Sequence, residues 1–310
     1  MSGKFKKERL DWSSFFFTGL SLLAVLFILL MLFLIVGNIV VNGWSQFSWG
    51  FLTRGSEGEM FDLAKAGVWP MIFGTTARVL LMTIFVIPVG VITALYLTEY
   101  GKASSPTIKV IRAAVNNLAG VPSIVFGLFG LGFFIQFIGQ NMDGVLGRTE
   151  ALWGKPSLIW ASMTLAVMTL PVVIVTTEES LRSIPPGLRE ASLALGATKL
   201  ETVLLIVLPQ ALPGILTGGI LAISRAAGEV APILFTGAAY YIHGLPRALT
   251  DEFMDLGYHI FILTTQSPNI EKTRPILYAT VMVLLMLTFL LNIVAILIRA
   301  QVRKKLRSLG

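Results

Sequence analysis

The stretch LAISRAAGEVAPILF, residues 221–235, places an arginine and a glutamate four positions apart inside an apolar run. Arg225 and Glu229 are the only charged residues between positions 202 and 242. A guanidinium at the centre of a membrane helix costs roughly 2.5–3.5 kcal/mol on insertion scales, so it must face a protein interior or a wet path. At i and i+4 on a helix the two side chains share a face and partly neutralise each other. Two readings follow. The pair is a self-satisfied ion pair that fixes helix rotation, or Arg225 offers its planar fork to the oxygens of an oxyanion such as phosphate. In the second reading Glu229 keeps the hold weak enough for release. Arg78, in FGTTARVLLMT, is another intramembrane cation. It lies about 13 Å from the outer end of its run at 1.5 Å per residue, so it either snorkels outward or lines a path. Ser123 follows Pro122, where a proline frees a backbone carbonyl; it lines a pore or packs at a kink. Arg182, near the inner face, either attracts an exiting anion or is a solvated loop residue.

Six elements must position these groups. The chain has 310 residues, 55% hydrophobic and 13% charged, about half the charge of an ordinary soluble domain. Apolar runs at 15–41, 69–98, 113–138, 157–177 and 275–298 each have the length needed to cross a bilayer. The run 202–242 is too long for one straight span and contains Pro209, Pro213 and Pro232. It reads as one interrupted helix, giving an all-α polytopic membrane protein of six spans. Glycine patches at 127–132 and 213–219 suit close helix approach in lipid. The first run is about twice as long as a signal-peptide core and has no A-x-A-like cleavage site, so it is expected to stay as a span.

Loop charge sets the orientation. Of the 24 Lys and Arg, setting aside Arg78 and Arg225, the other 22 divide into 15 in segments inside and 7 outside when the N-terminus is cytoplasmic. The inner set includes Lys4, Lys6, Lys7 and Arg9 at one end and Arg299, Arg303, Lys304, Lys305 and Arg307 at the other. Both termini are therefore expected in the cytoplasm. The net charge of +7 invites a nucleic-acid reading, but most of the excess sits in short flanks of the spans, so it is mainly this topology signal and no nucleic-acid partner is expected. His243 and His259 form no H-E-x-x-H pattern and there is no cysteine, so a zinc site or an intramembrane enzyme lacks its ligands. The chain also has no G-x-x-x-x-G-K-[ST] stretch, so any ATP must be hydrolysed by a partner.

One inner segment is more elaborate than a turn. Pro185 and Pro186 suit a first helical turn. Leu188, Ala191 and Leu195 share a face, and Gly196 can close the helix in a left-handed conformation. Thr198 and Glu201 then form a T-x-x-E capping box that starts the next helix. This helix–corner–helix either lies on lipid or docks another protein. Glu190-Ala191-Ser192, Gly196 and the IVLP at 206–209 resemble the E-A-A-x3-G-x9-I-x-L-P loop of bacterial ABC-importer permeases, with serine where the second alanine is usual. The resemblance implies a coupling helix near 187–199 in which Glu190, Ala191, Ser192, Leu195 and Gly196 meet the ATPase.

The likeness extends through NNLAGVPSIVFGLFGLGFF (116–134), TEESLRSIPPGLREASLALGATK (177–199), ISRAAGEVAPILFTG (223–237) and LGYHIFILTT (256–265). These are similar to the permeases of phosphate-specific transport (Pst) ABC importers. LAGVPSIVFGLF and YHIFILTT resemble the PstA type more than the PstC type, which shares the coupling loop. The likeness implies the type I ABC importer permease fold in a bacterial inner membrane, with residues 69–298 as the transmembrane domain. Residues 1–68 would supply an extra helix and outer loop, and 299–310 a basic tail. It implies Arg225 and Glu229 on the phosphate path, a PstC-like partner, two PstB-like ATPases carrying ATP and magnesium, and a PstS-like binding protein. The chain itself would bind no cofactor and catalyse nothing. The competing expectations are a permease for molybdate, sulfate or phosphonate, and a passive channel.

Overall fold

A computed structural model describes residues 12–55, 61–102 and 104–307. Lys4, Lys6, Lys7 and Arg9 lie outside the described residues. The described chain is helical, with one isolated bridge, Ala238 to Phe253, as its sole β pairing. Its helices in order are α1 (Trp12–Gly43), α2 (Trp49–Thr53), α3 (Trp69–Tyr100), α4 (Pro106–Ala119), α5 (Ser123–Val145), α6 (Leu158–Arg182), α7 (Pro186–Ala194), α8 (Lys199–Gly228), α9 (Leu256–Thr265) and α10 (Ile270–Arg307). Six of them, α1, α3, α5, α6, α8 and α10, are long and apolar enough to cross a membrane.

Helix α6 is the axis of the bundle, 67% buried over its most apolar window, whereas α1 is 0% buried there. Small and hydroxylated residues explain the difference. Ser162, Thr164 and Thr169 are fully buried and return their hydroxyls to the carbonyls of Leu158, Trp160 and Leu165 at 2.7–2.8 Å. Their polar atoms are thereby satisfied inside their own helix, and the compact side chains admit close neighbours. The predicted glycine patches do supply that approach: a Cβ on Gly130 would strike Thr164, and one on Gly218 would strike Thr176. Helix α1 packs along α10, where Gly43 meets the backbone of Tyr278. The remainder of its apolar surface faces outward, as lipid requires.

Two expected spans are broken. The run 113–138 is not one helix: α4 stops at Ala119, Gly120 caps it, and α5 starts at Ser123. Pro122 disfavours a helical conformation at Val121, which explains the break. The run 202–242 is not helical throughout either, because α8 ends at Gly228 and residues 229–255 are irregular. Pro209 and Pro213 are absorbed within α8, the first just after a π-helical stretch at Thr202–Val207. The irregular segment is tied to the start of α6. The backbone N–H groups of Ser157, Leu158 and Ile159 donate to the carbonyls of Thr236, Asp251 and Leu249 at 2.9–3.0 Å. Those are the orphan donors of a helix N-terminus, so one set of contacts satisfies both partners. Non-helical backbone is tolerable where its polar groups are paired with protein in this way.

Candidate functional site

The two intramembrane arginines have opposite surroundings. Arg78 is 0% exposed. Its Nε donates to Asp255 Oδ2 at 2.6 Å, Nη1 to the Ala226 carbonyl at 2.8 Å, and Nη2 to the Ala227 carbonyl at 3.2 Å. Thr75 Oγ1 donates to the same Asp255 oxygen at 2.8 Å and accepts from the Leu256 amide at 3.0 Å. The other oxygen of Asp255 caps α9, accepting from Gly257 and Tyr258. Arg78 therefore neither snorkels outward nor faces an open path, contrary to both sequence expectations. Its carboxylate partner lies 177 residues away in the chain. A buried guanidinium needs such a partner plus acceptors for its remaining donors, and the broken end of α8 supplies two carbonyls.

Arg225 stands one residue before those carbonyls, in the last turn of α8. It is not at the centre of a span, because the helix ends three residues later. Its Nε lies 3.5 Å from Glu229 Oε1, with side-chain exposures of 39% and 23%. Glu229 is the residue that ends the helix, its amide donating to the Ala226 carbonyl. No hydrogen bond engages the Arg225 guanidinium among the described residues, so most of its donors are available. The i and i+4 neighbours do meet as expected, but across a helix terminus rather than along a continuous helix.

The other break lies close by. Gly127, in the second turn of α5, is so near the Ala231 and Pro232 carbonyls that a Cβ would sit about 3.0 Å from them. Phe126 shares one buried core with Val79, Ala226 and Ala227, and Leu118 and Val121 pack against it. Ser123 is thus the first residue of α5, which starts beside the end of α8, rather than a mid-span kink residue; it is half-buried. The structure brings Arg78, Arg225, Glu229 and the α5 start into one region where two helices stop and restart.

The helix–corner–helix at 186–201 lies at the opposite end of α8, and its local geometry follows the sequence expectation closely. Pro186 opens α7, Gly196 has φ of 90°, and the Thr198–Glu201 capping box has both of its bonds. No residue of α7 is buried. Leu188 and Leu195, on the predicted face, are 39% and 89% exposed. Glu190, Ala191 and Gly196 are exposed and Ser192 half-buried. Sequence reasoning missed Asp255 and Thr75 at the outer network, and it missed Glu99, which meets Arg189 here. An aspartate directly before an apolar run was an available helix-start signal for Asp255.

Residues 86–308 match the binding-protein-dependent transport system inner membrane component family. The chain belongs to that family. Among its relatives, the phosphate transport system permease protein PstA of Mycobacterium leprae is 36% identical over 223 residues, covering 71% of this chain and 66% of that protein. PstA of Yersinia pestis is 34% identical over 277 residues, covering 89% of this chain and 86% of that one. The fold matches a crystallised bacterial alginate ABC transporter with a TM-score of 0.61, over 96% of this chain and 98% of the other, at 13% identity. The architecture is thus that of an ABC importer permease, a multi-pass inner-membrane protein.

Proposed function

We propose that this chain is the permease subunit of an ATP-driven importer carrying inorganic phosphate from the periplasm to the cytoplasm. The observation that carries the reading is the contrast between the arginines: Arg78 has its donors engaged, whereas Arg225 keeps an open guanidinium at a broken helix end. Relatives named for phosphate transport support the choice of ion. Breaks in membrane helices are where transporters place their ligand sites. Arg225 offers the fork to the phosphate oxygens, and Glu229, 3.5 Å away, competes for it so that the anion is released. Helix α5, beginning at Ser123, presents its amide end to the same region, which favours an anion.

The exposed α7 is the coupling helix. Glu190, Ala191, Ser192, Leu195 and Gly196 meet a PstB-like ATPase, which binds ATP and magnesium; this chain binds no cofactor. A second ATPase serves a PstC-like permease, and a PstS-like binding protein delivers phosphate from outside. Both termini face the cytoplasm, following the Lys and Arg bias. Residues 69–298 form the transporting unit, with α1 as a side helix and 299–310 as a basic tail.

The test is labelled-phosphate uptake into vesicles carrying the full complex with Arg225→Gln, beside ATPase activity of the same preparation. Uptake should fall at least tenfold while assembly and ATP hydrolysis persist. Undiminished uptake would remove Arg225 from the path. Transport of molybdate, sulfate or phosphonate in place of phosphate by the unaltered complex would overturn the substrate.

A further inference from the structure

Helix α7 has no buried residue, yet it is held to the membrane helices by a compact set of polar bonds. Arg189 Nη2 lies 2.8 Å from Glu99 Oε1, and its Nε reaches both oxygens of that carboxylate at 3.2 and 3.3 Å. Nη2 also donates to the Leu181 carbonyl at 2.8 Å, and Nη1 to the Ile184 carbonyl at 2.9 Å. One guanidinium thus joins α7 to the π-helical inner end of α3 and to the last turn of α6. The pair is well shielded, with side chains 22% and 10% exposed. A second tie lies three residues further on, where Ser192 Oγ and Thr202 Oγ1 are 2.9 Å apart and link α7 to the start of α8. Serine at this position, the departure from the usual alanine, therefore supplies a bond that alanine lacks.

We propose that Arg189 is a positioning residue that bolts α7 to α3 and α6, with Ser192 fastening it to α8, so that the four elements move as one lever. This rests on the reading of α7 as the ATPase-coupling helix. An apolar attachment would let a short helix roll as its side chains repack, because dispersion contacts are non-directional. A bidentate Arg–carboxylate pair fixes orientation as well as distance. Displacement imposed on the exposed side of α7 is then delivered to three membrane helices together, including α8, which carries Arg225 at its far end.

The chain has no cysteine, so paired spin labels are easily placed. With labels on Leu193→Cys and Tyr96→Cys in the assembled transporter, their separation should shift by less than about 2 Å between nucleotide-free and ATP-trapped states, on the scale of rigid-body helix movements. In the Arg189→Ala background the distribution should broaden. That variant should retain its ATPase and hydrolyse ATP, but move at least tenfold less phosphate per ATP. The Glu99→Arg/Arg189→Glu exchange should recover much of that ratio. A label separation in the unaltered chain that changes with nucleotide as much as in the variant overturns the bolt, as does a wild-type transport ratio in Arg189→Ala. Ala191→Arg, on the exposed side of α7, tests the underlying reading separately: if it neither releases nor inhibits the ATPase, α7 is not the coupling helix.

Discussion

Replacing Arg78 by methionine keeps the volume of the side chain's stem and removes the charge. Asp255 is then left at 0% exposure with its anion unpaired, and the Ala226 and Ala227 carbonyls lose the Arg78 donors, Ala226 keeping the Glu229 amide. Breaking one side of a buried ion pair costs about 3–5 kcal/mol, and the stranded carbonyls fall within that figure because losses in one network are not additive. With an unfolding entropy of about 2.1 cal/mol/K per residue, a chain of 310 residues loses roughly 5–8 °C in Tm. The measurement is thermal unfolding of the detergent-purified chain followed by intrinsic tryptophan fluorescence. The Arg78→Met/Asp255→Asn double variant should recover most of the loss, since the asparagine still caps α9 and no charge is stranded. If Arg78→Met melts within about 1 °C of wild type, or the double variant is no more stable than the single one, the network is not what holds α8 and α9 together.

Two further outcomes are expected. Gly74 faces the Met254 carbonyl, and an added Cβ would run into that oxygen, which cannot swing aside as a side chain does. Gly74→Ala should therefore cost about 1–3 kcal/mol, read in the same melting experiment, while Gly132→Ala, with nothing near its Cβ, should not. Asp251 accepts from the Ala248 and Arg247 amides, and these bonds, helped by Lys155, hold its carboxyl below the ordinary 3.8. Because the folded value is depressed, its contribution is present above the unfolded value and is lost as pH falls through the folded one. Exchange protection of the Arg247 and Ala248 amides should drop on acidification below about pH 4, and Asp251→Ala should remove that dependence at every pH.

Local signals fared well wherever the physics was local. Gly196 took the left-handed backbone, and Thr198 and Glu201 closed their capping box, because each involves neighbours within a few residues. The 113–138 run is not a single span because Gly120-Val121-Pro122 interrupts it, a break that apolar length alone does not register. The polar spacing of Lys109, Arg112 and Asn116 was legible as the face of a separate amphipathic helix. The 202–242 run failed for a different reason: α8 ends at Gly228, where the carbonyls of Ala226 and Ala227 accept from Arg78, some 150 positions earlier in the chain.

The sequence by itself determined the number of spans, the helix–corner–helix at 186–201 and the charged residue types inside the apolar runs. Bilayer thickness and the four-residue reach of a helix act over short stretches of chain. Only the tertiary structure decided which arginine is spent and which is open. A buried charge must find a partner wherever the fold brings one, and Asp255 for Arg78, like Glu99 for Arg189, is a neighbour in space that no spacing in the sequence announces.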